Sequence, residues 1–120
     1  MPTNNNTALL LVQEIETKHL LVELIRQLNK DLILAGLRFQ VAEETTGKAV
    51  VSELGSFLLG LITHDFGDYL NFLYRVDVSE NKLKSLKEIN PDKIATAVTQ
   101  MVLEREWQKV WFKNKNRLRD

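Results

Sequence analysis

The order of apolar and polar residues in the first third of the chain has a helical period. Between residues 7 and 35, 14 of the 29 positions are leucine, isoleucine or valine. Four of the polar positions fall on one narrow stripe at 3.6-residue spacing: Glu16, Glu23, Gln27 and Lys30. We expect one long helix whose wide apolar arc needs neighbours on more than one side. Gly36 fits the left-handed residue that ends such a helix, and the polar residues 1–6 are predicted to be disordered.

Residues 37–42 break this period, because apolar and polar side chains alternate there. A period of two predicts a short extended segment ahead of the loop over residues 43–47. A hairpin formed within residues 37–51, in which this segment would pair with residues 49–51, is an alternative that the sequence leaves open.

Helical spacing returns at Lys48 and predicts a helix to about Asp65. Its apolar face is opposed by a stripe of small residues, each four positions apart: Ser52, Ser56 and Gly60. Small residues let the backbone of another helix approach closely. Close packing within the chain is the favoured interpretation of this stripe, and a contact between subunits is the alternative.

Three more helices complete the prediction. One covers residues 66–76, and a short one runs to Leu86 from Asp77, which forms a capping-box pattern with Glu80. The last begins at Pro91, where a cap residue, a proline and an acidic residue follow each other, and runs to about Asn114. The predicted fold is all-α: a compact bundle of four or five helices with a short extended segment near residues 37–42, in a single domain over residues 7–120.

The composition narrows the function classes. A chain of 120 residues with 44% apolar residues fits one globular domain. Its 16 basic and 16 acidic residues cancel, so no long-range field steers it towards nucleic acid or membrane. The absence of cysteine excludes disulfides, thiolate nucleophiles and thiolate metal sites. Because no export signal is recognisable and the apolar runs are too short to span a bilayer, a cytoplasmic location is expected.

Two histidines are candidates for chemistry. Glu16 and His19 have the spacing of a di-iron ligand motif, but the motif occurs once and such sites need it twice. His64 and Asp68 lie four apart with Asp65 next to the histidine, which could serve acid–base chemistry or a metal. Roles at a helix junction are favoured for these three residues. We therefore infer no metal, no cofactor, no small-molecule substrate and no enzymatic activity.

The C-terminal segment carries the strongest functional signal. Trp107 and Trp111 lie one turn apart, and with Phe112 they are predicted to be interface anchors. Arg105 and Lys109 fall within an apolar face, where their charges can pair with an acid such as Asp77.

Four further cations follow the aromatic residues: Lys113, Lys115, Arg117 and Arg119. A solvated helix end is favoured for them over contact with nucleic acid, because a binding groove for single strands interleaves its aromatic and basic residues.

These patterns predict a small non-enzymatic helical module for protein–protein interaction or self-association. Two apolar faces are hard to bury in a monomer of this size, so a homodimer is expected. The alternative is an accessory protein that binds nucleic acid through its basic C-terminal tail.

Overall fold

The computed structural model describes residues 5–118, with side chains from residue 7 to residue 115. The helices of this range are α1 (Asn5–Thr17), α2 (Leu21–Leu34), α3 (Gly47–His64), α4 (Phe66–Val76), α5 (Glu80–Ser85) and α6 (Pro91–Leu118). Residues 5–118 contain no strand, and the predicted all-α bundle is confirmed with six helices instead of four or five. The segment predicted to be disordered, 1–6, overlaps α1 by two residues, and residues 1–4 lie outside the described range.

The single long helix expected over residues 7–35 is wrong, because the chain leaves the helix after Thr17. His19 adopts a left-handed conformation with φ 59°. Its N–H donates to Glu16 O at 3.0 Å, and the N–H of Leu20 donates to Ile15 O at 3.2 Å. This pair of bonds is a Schellman motif, which closes α1 and lets α2 start in a new direction. The wide apolar arc is therefore two narrower arcs on two helices.

Helix α2 ends as predicted: Gly36 follows it in a left-handed conformation, with φ 79°. Residues 37–42 form an irregular segment without strand pairing. The side chain of Asn29 forms hydrogen bonds with both backbone polar groups of Val41. Asn29 Nδ2 donates to Val41 O, and Val41 N–H donates to Asn29 Oδ1, each at 2.9 Å. The alternative hairpin does not form, because residues 49–51 belong to α3.

The core lies around α3 and α6, which pack against each other and both against α1 and α4. Its largest wholly buried apolar side chains come from several helices: Ile15, Leu24, Leu28, Leu54, Leu58, Phe72 and Leu103. Gly47 starts α3 directly against α1. A Cβ atom there would lie 2.9 Å from Val12 Cγ2, and the glycine N–H donates to Glu16 Oε2 at 3.1 Å. Only a residue without a side chain permits this contact.

The junction between α4 and α5 corrects one prediction. Asp77 has φ 73° and ends α4 in a left-handed conformation, so it does not begin α5. Ser79 is the N-cap of α5 and accepts a hydrogen bond from Lys82 N–H at 3.4 Å. The bounds of α4 agree with the prediction.

The start of α6 also agrees with the prediction. Asn90 Oδ1 accepts hydrogen bonds from Asp92 N–H at 2.9 Å and from Lys93 N–H at 3.4 Å. The helix continues to Leu118, one turn beyond the expected end. No helix within residues 5–118 has the length and hydropathy needed to cross a membrane.

Candidate functional site

The C-terminal half of α6 is fixed against α2 by three side-chain contacts. Lys109 Nζ lies 2.7 Å from Asp31 Oδ2, Lys113 Nζ lies 2.7 Å from Gln27 Oε1, and Asn114 Nδ2 lies 2.7 Å from Glu23 Oε2. The α2 partners are spaced four residues apart and therefore share one face of that helix. We call this set of six residues the polar ladder. It holds the end of α6 in one position.

Glu106 lies next to the ladder and is wholly buried. Lys109 Nζ lies 3.2 Å from Glu106 Oε1, yet neither carboxyl oxygen has a hydrogen bond of acceptable geometry among the described residues. Burial, followed by the neighbouring Asp31 carboxylate, raises the pKa of Glu106 to about 9, and Lys109 opposes the rise. With a pKa of about 9, this carboxyl group is expected to be protonated at neutral pH.

This carboxyl cluster is poorly placed for catalysis. Glu106 is inaccessible to solvent, and Asp31 is almost completely buried. A substrate would have to displace the end of α6 to reach either group. Perturbed carboxyl groups also occur in structural clusters, and here the cluster links two packed helices. It consists of two buried carboxyl groups beside one ammonium group.

The three predicted anchors differ in exposure. Trp107 packs partly buried against the core, and its ring centroid lies 6.3 Å from that of Trp111 with the planes 43° apart. Trp111 is 49% exposed and Phe112 is 65% exposed. One indole thus supports the other from inside the protein, while Trp111 and Phe112 present apolar surface to solvent.

The four predicted basic contacts do not form one free cluster. Lys113 is exposed, in keeping with a solvated helix end, but it also belongs to the polar ladder and is therefore not a free cation. Lys115 is exposed. The side chain of Arg117 and the whole of Arg119 lie outside the described residues.

The stripe of small residues on α3 does not mediate close helix packing within the chain. Ser52 and Ser56 are exposed, and a Cβ atom built on Gly60 would meet no atom within 4 Å. Helix α3 faces α6 at Gly55 instead, where a Cβ atom would lie at an ordinary contact distance of 3.5 Å from Thr99 Oγ1. The two serines line a shallow groove of about 380 Å³ between α3 and the start of α6.

The residues singled out for chemistry do not converge. His64, Asp65 and Asp68 are all exposed at the junction of α3 and α4, and the side chain of Asp65 makes no capping hydrogen bond. Glu16 accepts the Gly47 N–H, while His19 is exposed at the end of α1. Within the described residues no group of three or more histidine or acidic side chains has the geometry of a metal site.

A second apolar surface, on α4, was missed by the sequence analysis. Phe66, Leu70 and Tyr74 follow each other at intervals of four, and they are 54%, 50% and 80% exposed. The helical period puts Phe66 and Leu70 on one apolar arc of α4 with Tyr69, Leu73 and Val76, but only the last three of these are buried. Beside this row of exposed side chains, α4 and α5 enclose a groove of about 500 Å³.

The groove between α4 and α5 is mainly apolar. Its apolar lining comes from Leu70, Leu73, Tyr74, Val78 and Leu83. Its rim carries Asp77, Ser79, Glu80 and Lys84. The carboxylate of Asp77 is bound by Arg105 Nη2 at 3.0 Å, which confirms the predicted pairing of these two residues. We refer to this feature as the α4–α5 groove.

Comparison with protein-family models, curated proteins and solved structures gave no match for this chain.

Proposed function

We propose that this chain is a non-enzymatic helical module that self-associates, with the end of α6 as one contact surface. The observation that supports this most is the combination of exposed aromatic rings with a rigid support. Trp111 and Phe112 stand on a helix end that the polar ladder fixes to α2, and Trp107 braces Trp111. Rings that are already held in place lose little conformational freedom on binding, so more of their burial energy stabilises a complex.

The distribution of apolar surface gives further support. The exposed large apolar side chains include two groups, Trp111 and Phe112 at the end of α6 and the row on α4; the others among the described residues are Leu10, Val22, Ile33, Leu34 and Ile89. Single exposed apolar residues are common on monomers, but adjacent ones that form a patch mark sites of protein contact. Self-association offers a use for both regions, and a homodimer is its simplest form.

The test is a measurement of molar mass across the micromolar range by sedimentation or light scattering. We expect the mass to rise with concentration. Trp111→Ala should weaken association by on the order of 30-fold, which corresponds to about 2 kcal/mol, a usual loss for a buried aromatic anchor.

Ile89→Ala provides the matched control, since Ile89 is a large apolar residue that is 94% exposed in a different part of the molecule. It should leave association unchanged. A wild-type chain that stays monomeric at every concentration tested would refute the proposal.

Binding of nucleic acid is the second candidate, because Trp111 and Phe112 are exposed within one turn of Lys115. Exposed rings next to cations can stack on unpaired bases. This candidate leaves the apolar row on α4 without a use, since the acids near that row would repel phosphates. Retention of the wild type on a single-stranded oligonucleotide at low salt, lost in Lys115→Ala, would favour it over self-association.

A further inference from the structure

We infer that the end of α6, residues 106–118, opens away from α2 without unfolding of the core, and that this opening releases a proton from Glu106. The closed position is the one in which the polar ladder joins the two helices. In the open position the Glu106 carboxyl group is exposed to solvent. The inference concerns a single chain, so it does not depend on the proposed self-association.

The charges in the contact between α2 and α6 do not balance when every group is ionised. Asp31 and Glu106 are both buried. Within the described residues, the ammonium group of Lys109 is the only cation paired with them, at 2.7 Å from Asp31 Oδ2 and 3.2 Å from Glu106 Oε1. Two carboxylates beside one ammonium group would leave a negative charge buried without compensation. A carboxyl group in that position takes up a proton instead.

The hydrogen bonds indicate which carboxyl group holds the proton. Asp31 Oδ2 has the shorter contact with Lys109, and it also accepts a hydrogen bond from Gln27 Nε2 at 3.4 Å. Neither oxygen of Glu106 has such a bond within the described residues. Asp31 therefore keeps the negative charge and Glu106 the proton. In agreement with this geometry, burial and the Asp31 carboxylate raise the pKa of Glu106 to about 9.

The other helices that pack against α6 add no buried charge. The charged groups that act on Glu106 are Asp31 on α2 and Lys109 on α6. The charged side chains that the structure describes on α1, α3 and α4 are all exposed, including the titratable His64. Tyr69 on α4 is buried, and burial raises its pKa above the ordinary value of 10, so it stays neutral up to pH 9. Glu106 is therefore the group whose titration is linked to the position of α6.

The two halves of α6 are held by different amounts of apolar contact. The first half buries five apolar side chains: Ala95, Ala97, Val98, Val102 and Leu103. Among residues 107–115, whose side chains are described, Val110 is the one buried apolar residue, and Trp107 is partly buried. Segments with few buried apolar contacts open at a lower free energy than the core does. The end of α6 should therefore open before the rest of the fold.

The pH dependence follows from the two pKa values of Glu106. The closed position has a pKa of about 9, and the open position has the ordinary value of 4.5. The proton stabilises the closed position fully below pH 4.5, and this contribution decreases as the pH rises and ends at about 9. Between the two values the opening constant should rise about tenfold for each pH unit. A rise in pH thus releases the helix end that carries Trp111 and Phe112.

Thiol labelling tests the inference, because the chain contains no cysteine and one introduced thiol reports the exposure of one position. Val110→Cys places the thiol beside α2, and Val98→Cys places it in the first half of the same helix; both positions are buried. Lys115→Cys, at an exposed position, gives the labelling rate of an accessible thiol at each pH. The ratio of the rates is the opening constant, from which the titration of the thiol itself cancels.

Labelling with a disulfide reagent between pH 6 and pH 8, at protein concentrations too low for association, should give two results. The opening constant at Val110→Cys should exceed that at Val98→Cys by roughly tenfold or more, since global unfolding is needed to expose the latter. It should also rise about tenfold for each pH unit, and Glu106→Gln in the same chain should remove this rise. Glu104→Gln, which changes a partly exposed carboxylate of the same helix, should leave it in place.

Two outcomes would overturn the inference. Equal opening constants at Val110→Cys and Val98→Cys would show that the end of α6 opens only when the whole chain unfolds. An opening constant at Val110→Cys that does not change with pH, or that rises as steeply in Glu106→Gln, would show that Glu106 releases no proton on opening. Amide hydrogen exchange of residues 107–115 in the wild type gives the same constants without a substitution at Val110.

Discussion

Two regions of this molecule reverse the usual distribution of polar and apolar groups. Where α6 crosses α2, Glu106 and Asp31 are buried with the ammonium group of Lys109 beside them. Along α4, Leu70 and Tyr74 remain in contact with water. The first region places charge inside the protein, and the second places apolar surface outside.

The difference separates what fixes the fold from what remains available for a partner. The buried groups interact mainly with other residues of the same chain. Their role is therefore to fix the position of α6. The exposed apolar row on α4 does not fix a helix in this way, and a second molecule could cover it. If this division is correct, substitutions in the first region should change the free energy of unfolding, while those in the second should change association.

The largest expected effect is at Lys109. Lys109→Met removes the partner of a buried carboxylate, and we expect a loss of about 3 to 5 kcal/mol in the free energy of unfolding, since Asp31 is left without a compensating charge. Urea denaturation measures the loss. Lys113→Met is the matched control, because its ammonium group binds the neutral amide of Gln27, and it should cost less than about 1.5 kcal/mol. Equal losses in the two variants would contradict the special role of the buried charge.

Glu106→Gln is expected to have the next largest effect. The folded protein keeps its proton on Glu106 up to a pKa of about 9, whereas the unfolded chain loses it near the ordinary value of 4.5. Stability should therefore fall as the pH rises between these values, by about 1.4 kcal/mol per pH unit. The glutamine variant lacks this dependence and should be more stable than the wild type at neutral pH by on the order of 3 kcal/mol, which is this slope taken from the ordinary pKa of 4.5 up to neutrality.

Denaturation midpoints recorded between pH 5 and pH 9 test this expectation. Glu104→Gln is the control on the same helix, because the Glu104 side chain is partly exposed, unlike that of Glu106. Its Oε1 lies 4.0 Å from Lys82 Nζ. Its profile should run parallel to that of the wild type. If the profile of Glu106→Gln also runs parallel, Glu106 is not the buried neutral acid described above.

The smallest effect is expected at Tyr74, which is 80% exposed. Tyr74→Ser should change the free energy of unfolding by less than about 0.5 kcal/mol when measured at concentrations too low for association. Leu73→Ala, at the adjacent buried position, should cost about 2 to 5 kcal/mol. A loss above 1 kcal/mol for Tyr74→Ser would mean that the ring stabilises the monomer, which would remove the contrast between the two regions.

Local signals in the sequence predicted much of the fold. Asn90 and Pro91 mark the start of α6, and Gly36 marks the end of α2, because the backbone chemistry of a cap depends on the residue at that position. The pairing of Arg105 with Asp77 also followed from a cation within an apolar face. Each of these features is decided by residues that are close in sequence or by a charge in need of a partner.

The remaining features depend on tertiary contacts. His19 takes a conformation that glycine usually supplies, so the end of α1 left no clear mark in the sequence. The side of α4 that stays exposed depends on which neighbours cover Tyr69 and Leu73. Asp31 lies four residues after Gln27 and so extends the polar stripe of α2, and nothing near it in sequence indicates a buried cluster because its partner Lys109 is 78 residues away.

Protonation of Glu106 also affects the net charge of the folded protein. The composition gives a formal charge of zero and an isoelectric point near 6.7. Because a carboxyl group with a pKa of about 9 is protonated at neutral pH, we expect the net charge of the folded protein to be one unit more positive than the formal count. Unfolding at neutral pH should then release about one proton to the buffer.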